Sequence, residues 1–242
     1  MKKQTTGRSV LVCAIALFMC GALAADQPGN AQTLEQQVEG LWVYTGLTSS
    51  AGKEMPLTGI FLFKDGVFLQ HAVFDGEPIK DQGAMAHFGP YSETGEWIHL
   101  VAEQTISTDP LKSPPLSNQG RTEHDVSVKR SGNHLTLVFS KGTGTVQDFE
   151  QVGPGDGQSY PLQNGVLAFV DHYFMLVQGD KSSIVAGYGT FEKDGNALKL
   201  NIIRWTEANQ SSAFNLANTS MTATFDGRSF ILGDGRKFEV MP

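Results

Sequence analysis

The stretch GIFLFKDGVFLQ, residues 59–70, decides the fold. Two apolar runs flank Lys64-Asp65-Gly66, and an Asp-Gly pair between strand formers reads as the turn of a β-hairpin. A hairpin with one face in water alternates apolar and polar residues. Here Ile60 and Leu62 point one way and Phe61 and Phe63 the other, and both sets are apolar. Both faces therefore need cover. GVLAFVDHYFMLV, residues 165–177, repeats the pattern, with Leu167 and Phe169 opposed to Val166 and Ala168. Two barrels packed side by side, one strand set continuing into the other, or a homodimer would each cover the outer faces.

The echo extends along the chain. HFGPYSETGEWIHL (87–100) lies over GYGTFEKDGNALKL (187–200), matching Gly89 with Gly189, Tyr91 with Phe191, Gly95 with Gly195, Ile98 with Leu198 and Leu100 with Leu200. GTVQDFEQV and GDGRKFEVM then end the two copies. Ordered matches at a nearly fixed offset indicate a duplication, against the competing reading of chance similarity between β-rich sequences. Gly/Asn/Asp turn signals recur between runs such as HLTLVFS and ALKLNIIRW, which argues for antiparallel all-β structure. The first copy offers about eight strands and the second about seven, without an opening strand. The expected division is a leader over 1–24, a first barrel over 25–152, a linker over 153–159 containing GPGDGQ, and a second repeat, incomplete at its start, over 160–242.

The leader carries Lys2, Lys3 and Arg8, an apolar run, and Ala22-Leu23-Ala24, the pattern of a secretory signal peptide cut before Ala25. A lipoprotein signal at Cys20 is the competing reading, disfavoured by the bulky Phe18 and Met19. The expected compartment is the periplasm or the exterior. Cleavage would remove both cysteines, Cys13 and Cys20, and move the net charge from −7 to −10 by removing three cations and no acid. No disulfide, thiolate catalysis or cysteine metal ligation is then expected. An acidic body without a basic run is a poor partner for nucleic acid or an anionic membrane. No later run approaches the ~20 apolar residues of a membrane span.

Thr33-Leu34-Glu35-Gln36 has the capping-box pattern of a short helix, and Gly40-Leu41-Trp42 follows it. With GIFLFKDGVFLQ, HFGPYSETGEWIHLV, a proline-containing loop and RTEHDVSVKRSGNHLTL in order behind it, the chain resembles the bacterial lipocalin-like domain family. The resemblance covers the first copy and, more loosely, the second, which has no Gly-x-Trp. It implies antiparallel up-and-down β-barrels enclosing a pocket, and small-molecule binding without a transferable catalytic motif. It also implies that Trp42 packs at the closed end of its barrel against a basic side chain, for which Arg130 is a candidate.

Candidate site residues follow from strand faces. His99 shares a face with Trp97 and Val101, with Glu103 next along, and His71 shares one with Leu69 and Val73. If those faces line the pocket, His71, Tyr91, Trp97 and His99 are the first choices for ligand contact. The plainer reading of each histidine is a satisfied or surface ring. His172, in a turn, is expected to be inert. Arg121, Glu123 and Asp125 share a face, so that Arg121 could clamp a carboxylate at the mouth; a solvated outer face is the alternative. Trp205 is either a lumen wall of the second barrel or buried between lobes. The loop TDPLKSPPLSN (108–118) is either a lid or an insertion. No metal-ligand spacing, nucleophile elbow or phosphate loop occurs, and no cofactor is expected.

The leading expectation is an exported protein binding a small hydrophobic ligand. Two others stand beside it: an isomerase, cyclase or hydratase working through His99 or Glu103, and a cell-envelope interaction protein with filled barrels.

Overall fold

The computed structural model describes residues 32–242, and the leader expected over 1–24 lies outside them. The fold is all-β, two antiparallel eight-stranded barrels, one closed and the other nearly so. The first is built from β1 (Gly40–Thr48), β2 (Leu57–Lys64), β3 (Val67–Phe74), β4 (Ala84–Thr94), β5 (Trp97–Ala102), β6 (Gln104–Thr108), β7 (Leu116–Asn118), β8 (Thr122–Ser131), β9 (His134–Val138) and β10 (Val146–Gly153). Neighbours pair in sequence except that β6 pairs with β4 and β8 with β5; β3 pairs with β4, and β10 returns to β1 to close the ring. β5 and β6 form one path beside β4, and β8 and β7 form one path beside them, so the ten segments make eight strands; a bulge at Glu103, whose N–H donates to the Phe88 carbonyl (2.9 Å), interrupts the first path.

The second barrel is a meander of β11 (Gly157–Leu162), β12 (Gly165–Val170), β13 (Tyr173–Gly179), β14 (Ser183–Asp194), β15 (Ala197–Asn209), β16 (Ala213–Phe225), β17 (Ser229–Leu232) and β18 (Lys237–Glu239). Its ends meet through a single bridge between Leu162 and Val240. The second copy thus has an opening strand, and β11 begins inside the stretch read as linker. Its register shows why it escapes notice. Gly40 and Trp42 pair with Phe63 and Phe61, and in the second barrel Gln158 and Tyr160 pair with Phe169 and Leu167. Gln-x-Tyr stands where Gly-x-Trp stood, with Pro161 beside it, tolerable on a strand that is nearly an edge.

GIFLFKDGVFLQ is the β2–β3 hairpin. Asp65 and Gly66 both have positive φ (49° and 76°), as the two-residue turn whose twist matches the strands requires. Asp171 and His172 (47° and 69°) repeat the turn between β12 and β13. A second shared device is the β4–β5 bulge, which recurs at an offset of 100 residues: pairing in β14–β15 slips between Tyr188 and Gly189. A Cβ on Gly89 would lie 2.0 Å from the Val101 carbonyl oxygen, and one on Gly189 2.0 Å from that of Asn201. Only glycine fits so close to the neighbouring strand.

Phe61, Phe63, Phe68, Phe149, Ile98, Leu100 and Leu135 fill the interior of the first barrel, and Leu167, Phe174, Leu176, Leu200, Trp205 and Phe230 that of the second. The other faces of the same strands meet each other. Leu41, Ile60, Leu62, Leu69 and Phe88 form one core with Val166, Ala168, Met175, Val177 and Tyr188. This contact covers the outer faces within a single chain. A polar seam crosses its margin: His71 Nε2 is 2.9 Å from Thr206 Oγ1, Thr206 donates to Asn215 (2.7 Å), and Asn215 donates to the Gln82 carbonyl (2.6 Å). The Arg204 guanidinium stands 3.6 Å from Asp75.

The end at which β1 begins is closed. The helix Leu34–Val38, capped by Thr33, crosses it, and Trp42 donates its indole N–H to the Val38 carbonyl (2.7 Å). Arg130 lies 5.1 Å from the indole centroid and donates to Gln37 O and Gln151 Oε1. The stacked pair implied by the lipocalin resemblance is present in the geometry.

Two outcomes are expected. Leu62→Ala removes a fully buried side chain from the inter-barrel core and lowers unfolding free energy by about 2–5 kcal/mol, read by urea denaturation. His71 is wholly buried, and desolvation, reinforced by the Arg204 charge, lowers its pKa to about 3. The unfolded chain, with an ordinary histidine near ~6.5, takes up that proton first as pH falls. Stability from neutral His71 is therefore intact above ~6.5 and is lost at up to about 1.4 kcal/mol per pH unit towards 3. His71→Gln should flatten the decline measured between pH 6.5 and 4.

Candidate functional site

The open end of the first barrel leads into a cavity of about 430 Å³. Alternation along β3, β4, β5 and β6 turns Phe68, Gln70, His87, Leu100, Ala102 and Thr105 towards it, and β8 adds His124. Its mouth is framed by the loop after β1, with Ser49, Ser50 and Met55, and by the turn 139–145. Ser140 and Lys141 adopt left-handed conformations in that turn (φ 51° and 56°), which brings Phe139 over the entrance, edge-on to His124 at 5.5 Å. The wall is mostly apolar. Among the described residues, none that lines it is an Asp, Glu, Lys or Arg.

A chain of hydrogen bonds crosses the lumen. His87 Nδ1 lies 2.8 Å from Gln70 Oε1, Gln70 Nε2 donates to the Tyr44 hydroxyl, and Tyr44 donates to Gln147 Oε1 (2.9 Å). An amide oxygen only accepts, so the proton on His87 sits at Nδ1 and Nε2 carries the lone pair. Nε2 has no hydrogen-bond partner among the described residues. Burial, helped by the neighbouring His124, pushes the pKa of His87 down to about 4, so the ring is neutral at physiological pH. Burial also raises the Tyr44 phenol, which stays protonated. Two strands along the wall from His87, on β8, His124 Nε2 is 3.0 Å from Thr122 Oγ1, and Thr122 is bonded in turn to Thr105 (2.5 Å). Burial lowers His124 as well, followed by the influence of His99.

The second barrel holds the same positions with different side chains. The cross-strand row Phe61–Gln70–His87–Thr105 corresponds by register to Leu167–Leu176–Gly187–Trp205. His124, opposite Leu100, corresponds to Met221, opposite Leu200. The Trp205 indole lies directly on Gly187, where even a Cβ would come 2.0 Å from the ring. Its N–H donates to Glu207 (2.7 Å), which also accepts from Arg236 (2.8 Å), a polar stopper next to the filled lumen. The space beside Tyr160 and Phe169 in this barrel is only about 90 Å³. Larger clefts open beside Thr222 and Asp234 and around Arg236, at its rim.

The seven residues expected to bind ligand do not converge. Trp97 and His99 lie on the outer face of β5, because Ile98, Leu100 and Ala102 take the lumen. His99 pairs there with Asp125 (2.8 Å) and stands 3.7 Å from Glu123. Glu103 is exposed at the bulge, and Arg121 is exposed and ion-paired with Glu123 (2.9 Å). His71 faces the second barrel, with Nδ1 unpartnered among the described residues. Tyr91 is inside the first barrel but packs edge-on against Phe63 (5.1 Å) and does not line the cavity. Trp205 is the lumen wall of the second barrel. No residue of 108–118 lines the cavity either. The polar lining residues Gln70, His87, His124 and Gln147 were not singled out from the sequence. Gln70 could have been: it is the polar residue that the hairpin register sets beside Phe61, and so on the face of Phe61 and Phe63.

No family model matches the chain, and comparison with curated proteins and with solved structures finds no match. The likeness that stands is one of fold: two antiparallel barrels fit a lipocalin-like architecture.

Proposed function

We propose that this is an exported protein, periplasmic or secreted, that binds one small, largely apolar molecule in the first barrel, and that the second barrel is a filled buttress. The reading rests on one observation, a cavity of about 430 Å³ with an apolar wall and a few convergent polar groups at the open end of a barrel. That size and lining suit a small-molecule site. Affinity would come from desolvating ligand surface, at ~25 cal/mol per Å². The lipocalin-like character of the sequence and the signal-peptide pattern of residues 1–24 point the same way.

Catalysis in the same cavity is the weaker reading. A general base works best with a pKa near the working pH, and His87, at about 4, is a poor one. His99 and Glu103, the acid–base candidates from the sequence, lie on the outer surface.

Native mass spectrometry of the protein purified from its own compartment tests the proposal. One retained small molecule per chain is expected. The double substitution His87→Gly with Thr105→Trp copies the filling of the second barrel and should abolish retention, whereas His99→Ala and Arg121→Ala should leave it unchanged. Retention that survives the double substitution, or is lost with the outer-face variants, contradicts the assignment.

A further inference from the structure

We infer that the molecule held by the first barrel is uncharged and presents a hydroxyl donor to Nε2 of His87. The inference rests on the binding function proposed above and names the chemical class of the ligand.

Charge is the first constraint. No Asp, Glu, Lys or Arg lines the cavity among the described residues, and its two histidines are held neutral by burial. A carboxylate or ammonium entering it would shed its hydration without finding a counter-ion, at a cost that apolar contact does not recover.

The hydrogen-bond chain supplies the second constraint. Each donor in the sequence His87, Gln70, Tyr44, Gln147 points the same way. Aligned bonds polarise one another, and donation from Nδ1 makes Nε2 a better acceptor. The chain therefore offers a lone pair at its His87 end. At its other end the Gln147 amide nitrogen makes no hydrogen bond to the described residues, and Gln147 also lines the cavity. A hydroxyl meets the His87 end by donating to its lone pair, and its oxygen remains free to accept. An ether accepts only and leaves Nε2 unpaired, and a carboxylate adds both a charge and an acceptor facing an acceptor.

The second barrel argues by contrast. Where its lumen is filled, the row that carries Gln70, His87 and Thr105 carries Leu176, Gly187 and Trp205, and His124 is replaced by Met221. Polar residues line the lumen that is open.

Isothermal titration of the full chain at neutral pH with three matched probes tests this: 4-phenylphenol, 4-methoxybiphenyl and biphenyl-4-carboxylate. The phenol should bind about tenfold or more tightly than the ether, the worth of one hydrogen bond whose loss strands a buried acceptor, and the carboxylate should bind least. His87→Leu, which removes the acceptor that the phenol pairs with and the ether strands, should abolish the difference between the two. Gln70→Leu, which frees the His87 ring, should narrow the preference in the same direction. Equal binding of phenol and ether, or tightest binding of the carboxylate, overturns the ligand class while the binding function stands. If none of the three binds, both the class and the cavity's role as a site for apolar molecules are overturned.

Discussion

The inner strands of both barrels are apolar on both faces because each is a wall shared between a lumen and the neighbouring barrel. Ile60 and Leu62 share one core with Val166 and Ala168 across that wall, while Phe61 and Phe63 fill the space behind them. Burying a leucine or isoleucine contributes about 1.5–3 kcal/mol, so the shared core ranks with either lumen as a source of stability. It also divides the stabilising work. With the outer faces of β2 and β3 buried against the second barrel, the first barrel need not fill its own lumen completely, and its open end keeps a cavity.

The two barrels use one backbone plan for different ends. The glycine bulge and the two-residue turn with positive φ recur in each, which fixes the register and lets equivalent positions be compared directly. On that shared frame the pair His87 and Thr105 becomes Gly187 and Trp205. A glycine removes the side chain that the indole would strike, and the indole occupies the lumen. Tyr44, Gln70 and Gln147 have no apolar reason to lie inside a barrel; bonded head to tail, they satisfy one another and position His87.

Much of the fold was legible in the residues. Apolar residues on both faces of GIFLFKDGVFLQ and its echo called for two covered faces, and the ordered matches at an offset near 100 set the two sheets side by side in sequence. Trp42 and Arg130 meet at the closed end. The opening strand of the second barrel was not legible, because Gln158, Tyr160 and Pro161 carry neither the Gly-x-Trp pattern nor clean alternation. That His71, Trp97 and His99 stand on faces away from the lumen has a physical reason. On strands apolar on both sides, hydrophobicity cannot say which face is the lumen, and a one-residue choice sends every side chain to the other surface. His71 stands at the inter-barrel seam and His99 on the outer face of its strand. His87, adjacent to Gln70 in register, requires the pairing of β3 with β4, which sequence alone does not supply.

The central claim is that one lumen is open to a ligand and the other is not. Chemical-shift mapping on isotope-labelled protein titrated with 4-methoxybiphenyl tests it most directly, since that probe reports the cavity whether or not the hydroxyl preference holds. The account predicts perturbations centred on Gln70, His87, Thr105 and the 139–145 turn. Perturbations centred on Leu176, Gly187 and Trp205 would contradict it.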